Sequence, residues 1–243
     1  MDGHALIIGG FGGLGSALAH ECGQRKVMPI VTSRIHRETP TELARCGGTA
    51  VQMDVTDEGS VRRCVNQLDL LLSQIKYVFY TPGVRLQGTL TDHTPEDIQN
   101  TIDVCLTGLI RVMRALLDRK TTPWHMIPII STTGWRVRDD ETAYAAVKAG
   151  AAHAARGFYR EMRAALPSCR VLVAHPGGMR TNFWRGSVVD TKSFFDPALI
   201  AKLLCNEIER QETGDAPPLH EVHYLRSANG EPNIEFGPKA PLY

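Results

Sequence analysis

Runs of aliphatic and β-branched residues alternate with longer helical patterns along almost the whole chain, and this alternation constrains the fold more than any other feature. Strands that alternate with helices form βαβ units, in which the strands lie parallel and the helices cover the sheet. The sequence therefore predicts an α/β protein with a doubly wound parallel sheet and helices on both faces. The strand-like runs are residues 5–9, 27–34, 49–55, 75–83, 125–132, 169–177 and 220–226, and the helical patterns are residues 14–24, 56–74, 92–120, 142–166 and 196–211.

The length and composition fit one soluble domain over residues 1–243. The chain contains 43% hydrophobic and 22% charged residues, as globular proteins do, and it shows no internal repeat or linker. The Pro- and Gly-rich tail at residues 229–243 is predicted to be extended and to pack against a neighbouring subunit.

Charge, cysteines and hydropathy argue against several classes of protein. The formal net charge of +1 signals no basic surface for phosphates, so nucleic acid is not an expected partner. No run approaches the roughly 18 apolar residues of a membrane helix, and the N-terminus has no signal-peptide pattern. The six cysteines are scattered without metal-ligand spacing, which predicts reduced thiols in a cytoplasmic protein and no metal site.

A G-x-x-x-G-x-G turn at residues 9–15 joins the first strand to the first helix. Such a turn is either a flexible connection or a cradle for a pyrophosphate, which approaches the backbone where side chains are missing and faces the helix N-terminus. The strand before it and the small-residue helix after it favour the cradle. The residues assigned to a cofactor here are Gly9, Phe11, Gly13, Leu14 and Gly15. Gly10 and Gly12, in contrast, are expected only to add conformational freedom.

The end of the second strand distinguishes between the two nicotinamide dinucleotides. An acidic residue there binds the ribose 2′-hydroxyl of NAD, whereas an arginine suits the 2′-phosphate of NADP. Ser33 stands where the acid is expected and Arg34 follows it, which favours NADP(H) over NAD(H); a solvated Arg34 is the alternative. Asp54 and Val55 end the third strand, where the adenine is expected, and the Asp54 carboxylate is placed to accept from its amino group.

A serine, a tyrosine and a lysine in the second half of the chain form a candidate catalytic group. Ser131 ends the fifth strand, and Tyr144 and Lys148 lie on one face of a predicted helix. A tyrosine with its ordinary pKa of ~10 becomes an effective general acid and base when a nearby ammonium lowers that pKa. Ser131 is placed to hold a substrate carbonyl or alcohol beside it. The alternative is an exposed helical pair, which the combination with Ser131 and a dinucleotide turn disfavours.

These motifs, in this order, resemble the short-chain dehydrogenase/reductase family over nearly the whole chain, in its single-domain branch with a Rossmann-type fold. The matching positions are Gly9, Gly13, Gly15, Asp54, Ser131, Tyr144 and Lys148, followed by Pro176, Gly177 and Thr181 of the segment "HPGGMRT". The resemblance implies that Tyr144 transfers the proton, that Lys148 also binds the nicotinamide ribose and that Ser131 orients the substrate. It also implies that residues 176–181, including Met179, contact the nicotinamide side, and that two long helices pair subunits in a homodimer or homotetramer.

Two positions depart from the family pattern. The turn after the fourth strand reads "YTPG" at residues 80–83 instead of N-A-G, and its Pro82 and Gly83 are still assigned to the cofactor. Cys105 stands where the family has an asparagine that helps link the lysine to solvent, and a thiol is a weak hydrogen-bonding group. These departures keep a second hypothesis open, a dinucleotide-binding protein without turnover, such as a redox-responsive scaffold.

The segment at residues 179–196 has the length and composition of a mobile substrate lid. Its Phe183 and Trp184 are assigned to an apolar substrate pocket beside Ser131 and Tyr144, with Trp135 on the opposite wall. Four arginines either meet an acidic substrate or are solvated at the surface: Arg85, Arg136, Arg180 and Arg185.

The sequence as a whole predicts an NADPH-dependent oxidoreductase, a carbonyl reductase or alcohol dehydrogenase that acts on a small-molecule carbonyl or alcohol. An isomerase or dehydratase that uses a tightly held cofactor remains a third alternative.

Overall fold

The computed structural model describes residues 1–119, 124–227 and 231–240. Its strands are β1 (His4–Ile8), β2 (Met28–Ser33), β3 (Thr49–Gln52), β4 (Ile75–Tyr80), β5 (His125–Pro128), β6 (Arg170–Pro176), β7 (Leu219–Arg226) and β8 (Pro232–Phe236). Within the described residues they form one sheet in the order β3-β2-β1-β4-β5-β6-β7-β8. The first seven strands are parallel and β8 is antiparallel to β7, so the predicted doubly wound parallel sheet is confirmed.

Helices cover both faces of this sheet. They are α1 (Gly13–Gln24), α2 (Thr41–Arg45), α3 (Glu58–Gln67), α4 (Pro95–Ile102), α5 (Gly108–Leu117), α6 (Thr142–Ala165) and α7 (Pro197–Thr213). One apolar core contains buried residues of α3, α5 and α6, and the other contains buried residues of α1, α2 and α7. Since both faces are covered, a central strand such as β1 is buried along its whole length, which explains its continuous apolar sequence.

The long helical pattern predicted for residues 92–120 is interrupted in the structure. Thr94 caps α4 by accepting a hydrogen bond from the Asp97 amide, and a π-helical turn over Asp103–Thr107 separates α4 from α5. Such turns inside helices often occur at functional sites. Residue 120, the predicted end of this helix, lies outside the described residues.

The C-terminal tail is extended as predicted, but its strand pairs within the chain. β8 lies antiparallel on β7, with Ile234 opposite Tyr224 and Glu235 opposite His223. The tail thus completes the edge of its own sheet, and its packing on a neighbouring subunit stays a prediction. Residues 229–230 and 241–243 of the predicted tail lie outside the described residues. Among the described helices, none has both the length and the hydropathy needed to cross a membrane.

Candidate active site

A cleft of about 630 Å³ lies where the chain continues beyond the carboxyl ends of β1, β4 and β5. The strand order reverses between β1 and β4, and parallel α/β sheets bind ligands at such a reversal. Every residue that the sequence assigned to the cofactor, to catalysis or to the substrate lines this cleft, except Trp135. The Trp135 side chain is buried and meets the His223 ring edge-on, with centroids 5.4 Å apart. The structure therefore does not bring Trp135 into the cleft lining, because its indole is buried behind the cleft wall.

The glycine turn has the geometry that a close backbone approach requires. Gly9 adopts a φ of +78°, and a Cβ atom there would lie 2.8 Å from the Thr81 hydroxyl oxygen. A Cβ atom at Gly15 would lie 2.3 Å from the Gly9 carbonyl oxygen. Side chains at either position would push the turn away from the strand ends, so both glycines are needed for its shape.

The N-terminus of α1 is open to a ligand. Gly12 stands at its N-cap, and no side chain among the described residues caps the helix. Helix N-termini leave amide N–H groups unpaired and carry a partial positive charge, which suits a pyrophosphate. A Cβ atom at Gly13 would lie 2.4 Å from the Thr181 side chain, so the segment after β6 closes directly over the turn. This cradle fits a dinucleotide.

Gly10 has a packing role that the sequence did not reveal. A Cβ atom at Gly10 would lie 2.4 Å from the Cβ atom of Val31 in β2, and its amide donates to the Thr32 carbonyl. The prediction that Gly10 only adds conformational freedom is wrong, because the turn packs against β2 at this residue.

A second guanidinium lies near the ribose end of the cleft. Ser33 ends β2 and Arg34, which is exposed, follows it along the cleft wall. The Arg37 guanidinium lies 5.2 Å from the centroid of the Phe11 ring, a cation–π distance. Phe11 therefore supports a basic side chain, although its own ring offers nothing to a phosphate.

Asp54 lies in the cleft after β3, as expected for a residue near the adenine. Its Oδ1 accepts hydrogen bonds from the Thr56 amide at 2.9 Å and the Thr56 hydroxyl at 2.7 Å. The Ser60 hydroxyl accepts from the Asp54 amide at 2.9 Å. The carboxylate is thus fixed in place, and the other oxygen, Oδ2, is the atom left to meet an adenine amino group.

Ser131 and Tyr144 meet at the other end of the cleft. Ser131 follows β5, and its hydroxyl oxygen accepts from the Thr133 amide at 3.1 Å. Burial raises the pKa of Tyr144, Cys105 and Glu141 raise it further, and a hydrogen bond with Ser131 lowers it. The sequence predicted that Lys148 lowers this pKa. In the structure burial outweighs the groups around the phenol, and Ser131 is the side chain that opposes it.

Lys148 is a buried ammonium one turn after Tyr144 on α6. Its side chain is buried, its Nζ donates to the Ile129 carbonyl at 3.2 Å and lies 5.7 Å from the centroid of the Tyr144 ring. Burial lowers the pKa of Lys148, and Cys105 opposes that effect. Among the described residues no carboxylate pairs with it, so the amine remains free for hydroxyl groups or a phenolate.

The two departures from the family pattern lie close together. Cys105 is buried within the π-helical turn. The Tyr80 hydroxyl donates to the Val104 carbonyl of that turn at 2.5 Å, and the Thr81 hydroxyl donates to the Ile8 carbonyl at 2.7 Å. Tyr80 and Thr81 therefore hold the strand ends and the π-helical turn together, so this segment has a structural role.

A buried network supports Ser131 from the side away from the cleft. The His175 Nδ1 lies 3.1 Å from the Ser131 carbonyl oxygen and its Nε2 lies 2.8 Å from a Glu221 oxygen. Glu221 also accepts from the Arg156 guanidinium, and the His223 ring stacks on His175 at 4.4 Å. His175 thus has a structural role behind Ser131.

The segment at residues 179–196 is fastened at both ends. Met179 and Phe195 form an isolated parallel bridge, and the Trp184 indole donates to the Met179 carbonyl at 2.9 Å. The Phe183 ring lies 6.3 Å from the Tyr144 ring, which places the segment over the catalytic end of the cleft. Val188, in contrast, is fully exposed between these ends.

The profile of the short chain dehydrogenase family matches residues 3–191, which include the glycine turn, Ser131, Tyr144 and Lys148. The chain belongs to the short-chain dehydrogenase family. It is an oxidoreductase by this membership, and the resemblance stated from the motifs is confirmed.

Relatives of this short-chain dehydrogenase carry oxidoreductase names. An uncharacterized oxidoreductase of Staphylococcus aureus is 24% identical over 203 residues, which cover 82% of this chain and 87% of that protein. A (5R,7aS)-5-hydroxy-7a-methyl-1-oxo-2,3,5,6,7,7a-hexahydro-1H-indene-carboxyl-CoA reductase of Mycobacterium tuberculosis is 26% identical over 227 residues, 89% of this chain and 80% of that protein.

Solved structures share the fold at lower identity. An alcohol dehydrogenase from the archaeon Thermococcus sibiricus, complexed with 5-hydroxy-NADP, superimposes with a TM-score of 0.78 at 20% identity and covers 96% of this chain and 100% of its own. ElxO with NADP bound gives a TM-score of 0.71 at 21% identity, covering 84% of this chain and 90% of its own. These likenesses confirm the Rossmann-type fold of the short-chain dehydrogenase.

Sequence reasoning missed several residues that line or support the cleft. Arg138 and Arg226 line it, Arg37 approaches Phe11, and Glu221 lies behind Ser131. The sequence offered one signal for Glu221. It is an acidic residue within the predicted seventh strand, and a strand of a covered sheet is expected to be apolar. The two arginines were missed because their approach to the cleft depends on how β7 and the loop after β5 fold.

Proposed function

We propose that this short-chain dehydrogenase is an NADPH-dependent carbonyl reductase or alcohol dehydrogenase. The observation that carries the proposal is that Ser131, Tyr144 and the unpaired Lys148 meet in one cleft with the glycine turn. Reduction of a carbonyl by a nicotinamide dinucleotide needs the bound dinucleotide and a proton donor at the same carbonyl. The name of the Mycobacterium tuberculosis relative, a carboxyl-CoA reductase, supports the reductive direction.

Lys148 and residues 176–181 would hold the nicotinamide, which when bound would supply the hydride for the carbonyl carbon. Tyr144 gives its phenolic proton to the carbonyl oxygen, so that the product is the alcohol and the tyrosine is left as phenolate. Ser131 holds the same oxygen by a hydrogen bond. Lys148, which no carboxylate neutralises among the described residues, stabilises the phenolate. Oxidation of an alcohol runs these proton transfers in reverse.

The structure fits NADP(H) in this role. The open N-terminus of α1 suits the pyrophosphate. Arg34 lines the cleft after β2, where the 2′-phosphate of NADP is expected, and Arg37 lies over the Phe11 ring of the neighbouring turn. Two structural neighbours, the archaeal alcohol dehydrogenase and ElxO, were solved with NADP-type ligands. We therefore propose NADP(H) in preference to NAD(H). The lid at residues 179–196, the homodimer or homotetramer and the cytoplasmic location stay predictions.

The proposed chemistry is tested by Tyr144→Phe. Loss of the proton donor is expected to lower turnover by at least ~100-fold, the usual contribution of a general acid. NADPH binding, followed by fluorescence titration, is expected to remain. The matched control is Tyr159→Phe on the same helix, because Tyr159 is not part of the cleft lining and turnover is expected to stay normal.

Measurements of binding and turnover on the parent protein and on Tyr144→Phe separate the alternative functions. If Tyr144→Phe keeps its turnover, the proposed mechanism is wrong. If the parent protein binds NADPH but reduces no member of a broad panel of carbonyls, the protein binds the dinucleotide without turnover. A product isomerised or dehydrated without net NADPH consumption indicates the third class.

A further inference from the structure

Four arginines besides Arg34 line the cleft. They are Arg85, Arg136, Arg138 and Arg226. Arg85 comes from the loop after β4, Arg136 and Arg138 from the loop after Ser131, and Arg226 from the end of β7. Three separate segments thus bring basic side chains to the cleft that also contains Tyr144, although the net charge of the whole chain is only +1.

Aromatic rings hold three of these guanidinium groups. The guanidinium of Arg85 lies 5.5 Å from the Trp184 ring centroid, that of Arg136 lies 4.6 Å from Trp135, and that of Arg226 lies 4.6 Å from Phe194. A guanidinium over a ring face keeps its N–H groups directed outward in its own plane, where they match the oxygens of a carboxylate or phosphate. Trp135 thus supports a basic group of the cleft, although its own ring is not part of the lining.

Carboxylates do not neutralise this group. Within the described residues none of the four arginines makes an ion pair, although Arg25, Arg156 and Arg210 elsewhere in the chain do. The only acidic residues among the described lining residues are Asp54, at the adenine end, and Glu141, which accepts from the Thr133 hydroxyl at 2.9 Å.

Two further observations favour the binding of an anion beside these arginines. The Arg85 Nε is buried and has no hydrogen-bond partner among the described residues. Burial lowers the pKa of Arg226, and the neighbouring charges of Arg138 and Arg136 lower it further. Buried donors in folded proteins normally find acceptors, and like charges gathered in a cleft attract counter-ions.

We propose that the substrate carries an anionic group, a carboxylate or a phosphate, which Arg85, Arg136, Arg138 and Arg226 bind while its carbonyl lies at Ser131 and Tyr144. The inference rests on the proposed function and adds the substrate class to it. Apolar atoms between the two groups fit the Phe183 and Trp184 side chains, which line the same part of the cleft.

The test measures binding separately from turnover. A panel of aryl keto acids of increasing chain length, their methyl esters and the corresponding phosphate-bearing ketones is titrated calorimetrically into the NADP⁺-loaded protein. The anionic members are expected to bind roughly tenfold to a hundredfold more tightly than the neutral esters, the size of one or two charge-assisted hydrogen bonds. The preference is expected to fall as KCl is raised. Comparison of the acids with the phosphates identifies which anion the site takes.

Variants locate the preference. Arg136→Gln and Arg226→Gln are expected to remove most of the anion preference, and Arg226→Lys to restore part of it. Arg160→Gln, an exposed arginine of α6 outside the cleft lining, is expected to keep it. If a glutamine variant does not fold, the parent protein still tests the proposal. The ratio of its affinities for acids and esters, and the dependence of that ratio on salt, show whether it binds the anionic group.

The outcomes separate this inference from the proposed function. Esters that bind as tightly as acids, a panel that does not bind, or a preference that survives in both glutamine variants overturns the anion site. Turnover of neutral ketones without an acid preference leaves the reductase standing and removes the anion site. Tight binding of acids without any NADPH consumption leaves the anion site standing and removes the reductase.

Discussion

Lys148 and Glu221 are two buried charged residues near the active site. The fold pairs Glu221 with opposite charges and leaves Lys148 without such a partner among the described residues. Lys148 is 4% exposed and Glu221 is 6% exposed, so each charge has lost nearly all contact with solvent. Glu221 accepts three hydrogen bonds from Arg156 and one from His175. Lys148 donates to a single carbonyl, that of Ile129, and meets no carboxylate among the described residues.

The pKa of each group records this difference. Burial tends to raise the pKa of Glu221, but the hydrogen bonds and charges of His175 and Arg156 lower it to about 2. Burial lowers the pKa of Lys148, and only Cys105 opposes the shift. The protein compensates the buried carboxylate fully and leaves the buried ammonium to destabilise the folded state.

The comparison shows how a structural charge differs from a functional one. A buried charge that is completely paired fixes its neighbours, and Glu221 fixes His175 and through it the Ser131 carbonyl. An unpaired buried charge costs folding free energy and persists where its charge is used for chemistry. We therefore expect substitution of Lys148 to affect activity more than stability, and substitution of Glu221 to affect stability more than activity.

The largest expected effect is on turnover in Lys148→Met. Loss of the ammonium leaves the Tyr144 phenolate unsupported, and turnover is expected to fall by roughly 100-fold to 10,000-fold. The free energy of unfolding is expected to stay equal or rise, because an unpaired buried cation is replaced by an apolar side chain of similar length. Steady-state kinetics and urea denaturation measure the two quantities on the same preparation.

The control for this variant is Lys202→Met on α7, where the lysine is exposed and neither quantity is expected to change. A Lys148→Met protein that retains normal turnover contradicts the comparison. So does one whose unfolding free energy falls by more than about 1 kcal/mol, an average destabilisation for a point substitution.

Glu221→Gln is expected to have the second largest effect, and it falls on stability. The amide keeps the shape of the carboxylate but removes the charge that Arg156 and His175 share. Charge-assisted hydrogen bonds contribute about 1.5–3 kcal/mol, so the unfolding free energy is expected to fall by roughly 2 kcal/mol. Turnover per folded molecule is expected to change little, because the amide oxygen of the variant still holds His175. A loss of turnover at unchanged stability would make Glu221 a functional group and cancel the contrast with Lys148.

The sequence was sufficient to predict the fold because its signals are local. The continuous apolar run of β1, the glycines at the start of α1 and the Thr94 cap of α4 each act within a few residues. The π-helical turn at Asp103–Thr107 was not predictable in this way. It lies inside an unbroken helical pattern, and the Tyr80 hydroxyl that meets its Val104 carbonyl comes from β4.

The cofactor end of the cleft was predicted more completely than the substrate end. Gly9, Gly13 and Gly15 are close in sequence, and their spacing alone implies the turn. The substrate end joins Arg85, Arg138 and Arg226 from three distant segments, so their meeting depends on tertiary structure. For the same reason the sequence could not show that Trp135 lies behind the wall.

The smallest expected effect is a pair of pH slopes in stability, one on the acid side from Glu221 and one on the alkaline side from Lys148, and in both stability rises with pH. Glu221 has a folded pKa of about 2, below its ordinary 4.5, so its stabilisation is complete above pH 4.5 and is lost as the pH falls towards 2. Lys148 has a folded pKa below its ordinary 10.5, so the parent protein is expected to gain stability as the pH rises towards 10.5. Each slope involves one proton and is at most about 1.4 kcal/mol per pH unit.

Urea denaturation between pH 3 and pH 10 measures both slopes against the two variants. The stability difference between the parent and Glu221→Gln is expected to shrink only on the acid side, and that between the parent and Lys148→Met to change only on the alkaline side. Differences that stay constant across the whole range would show that neither side chain changes its proton affinity on folding. The contrast between a paired and an unpaired buried charge would then have to rest on packing, since linkage requires a pH slope wherever folding shifts a pKa.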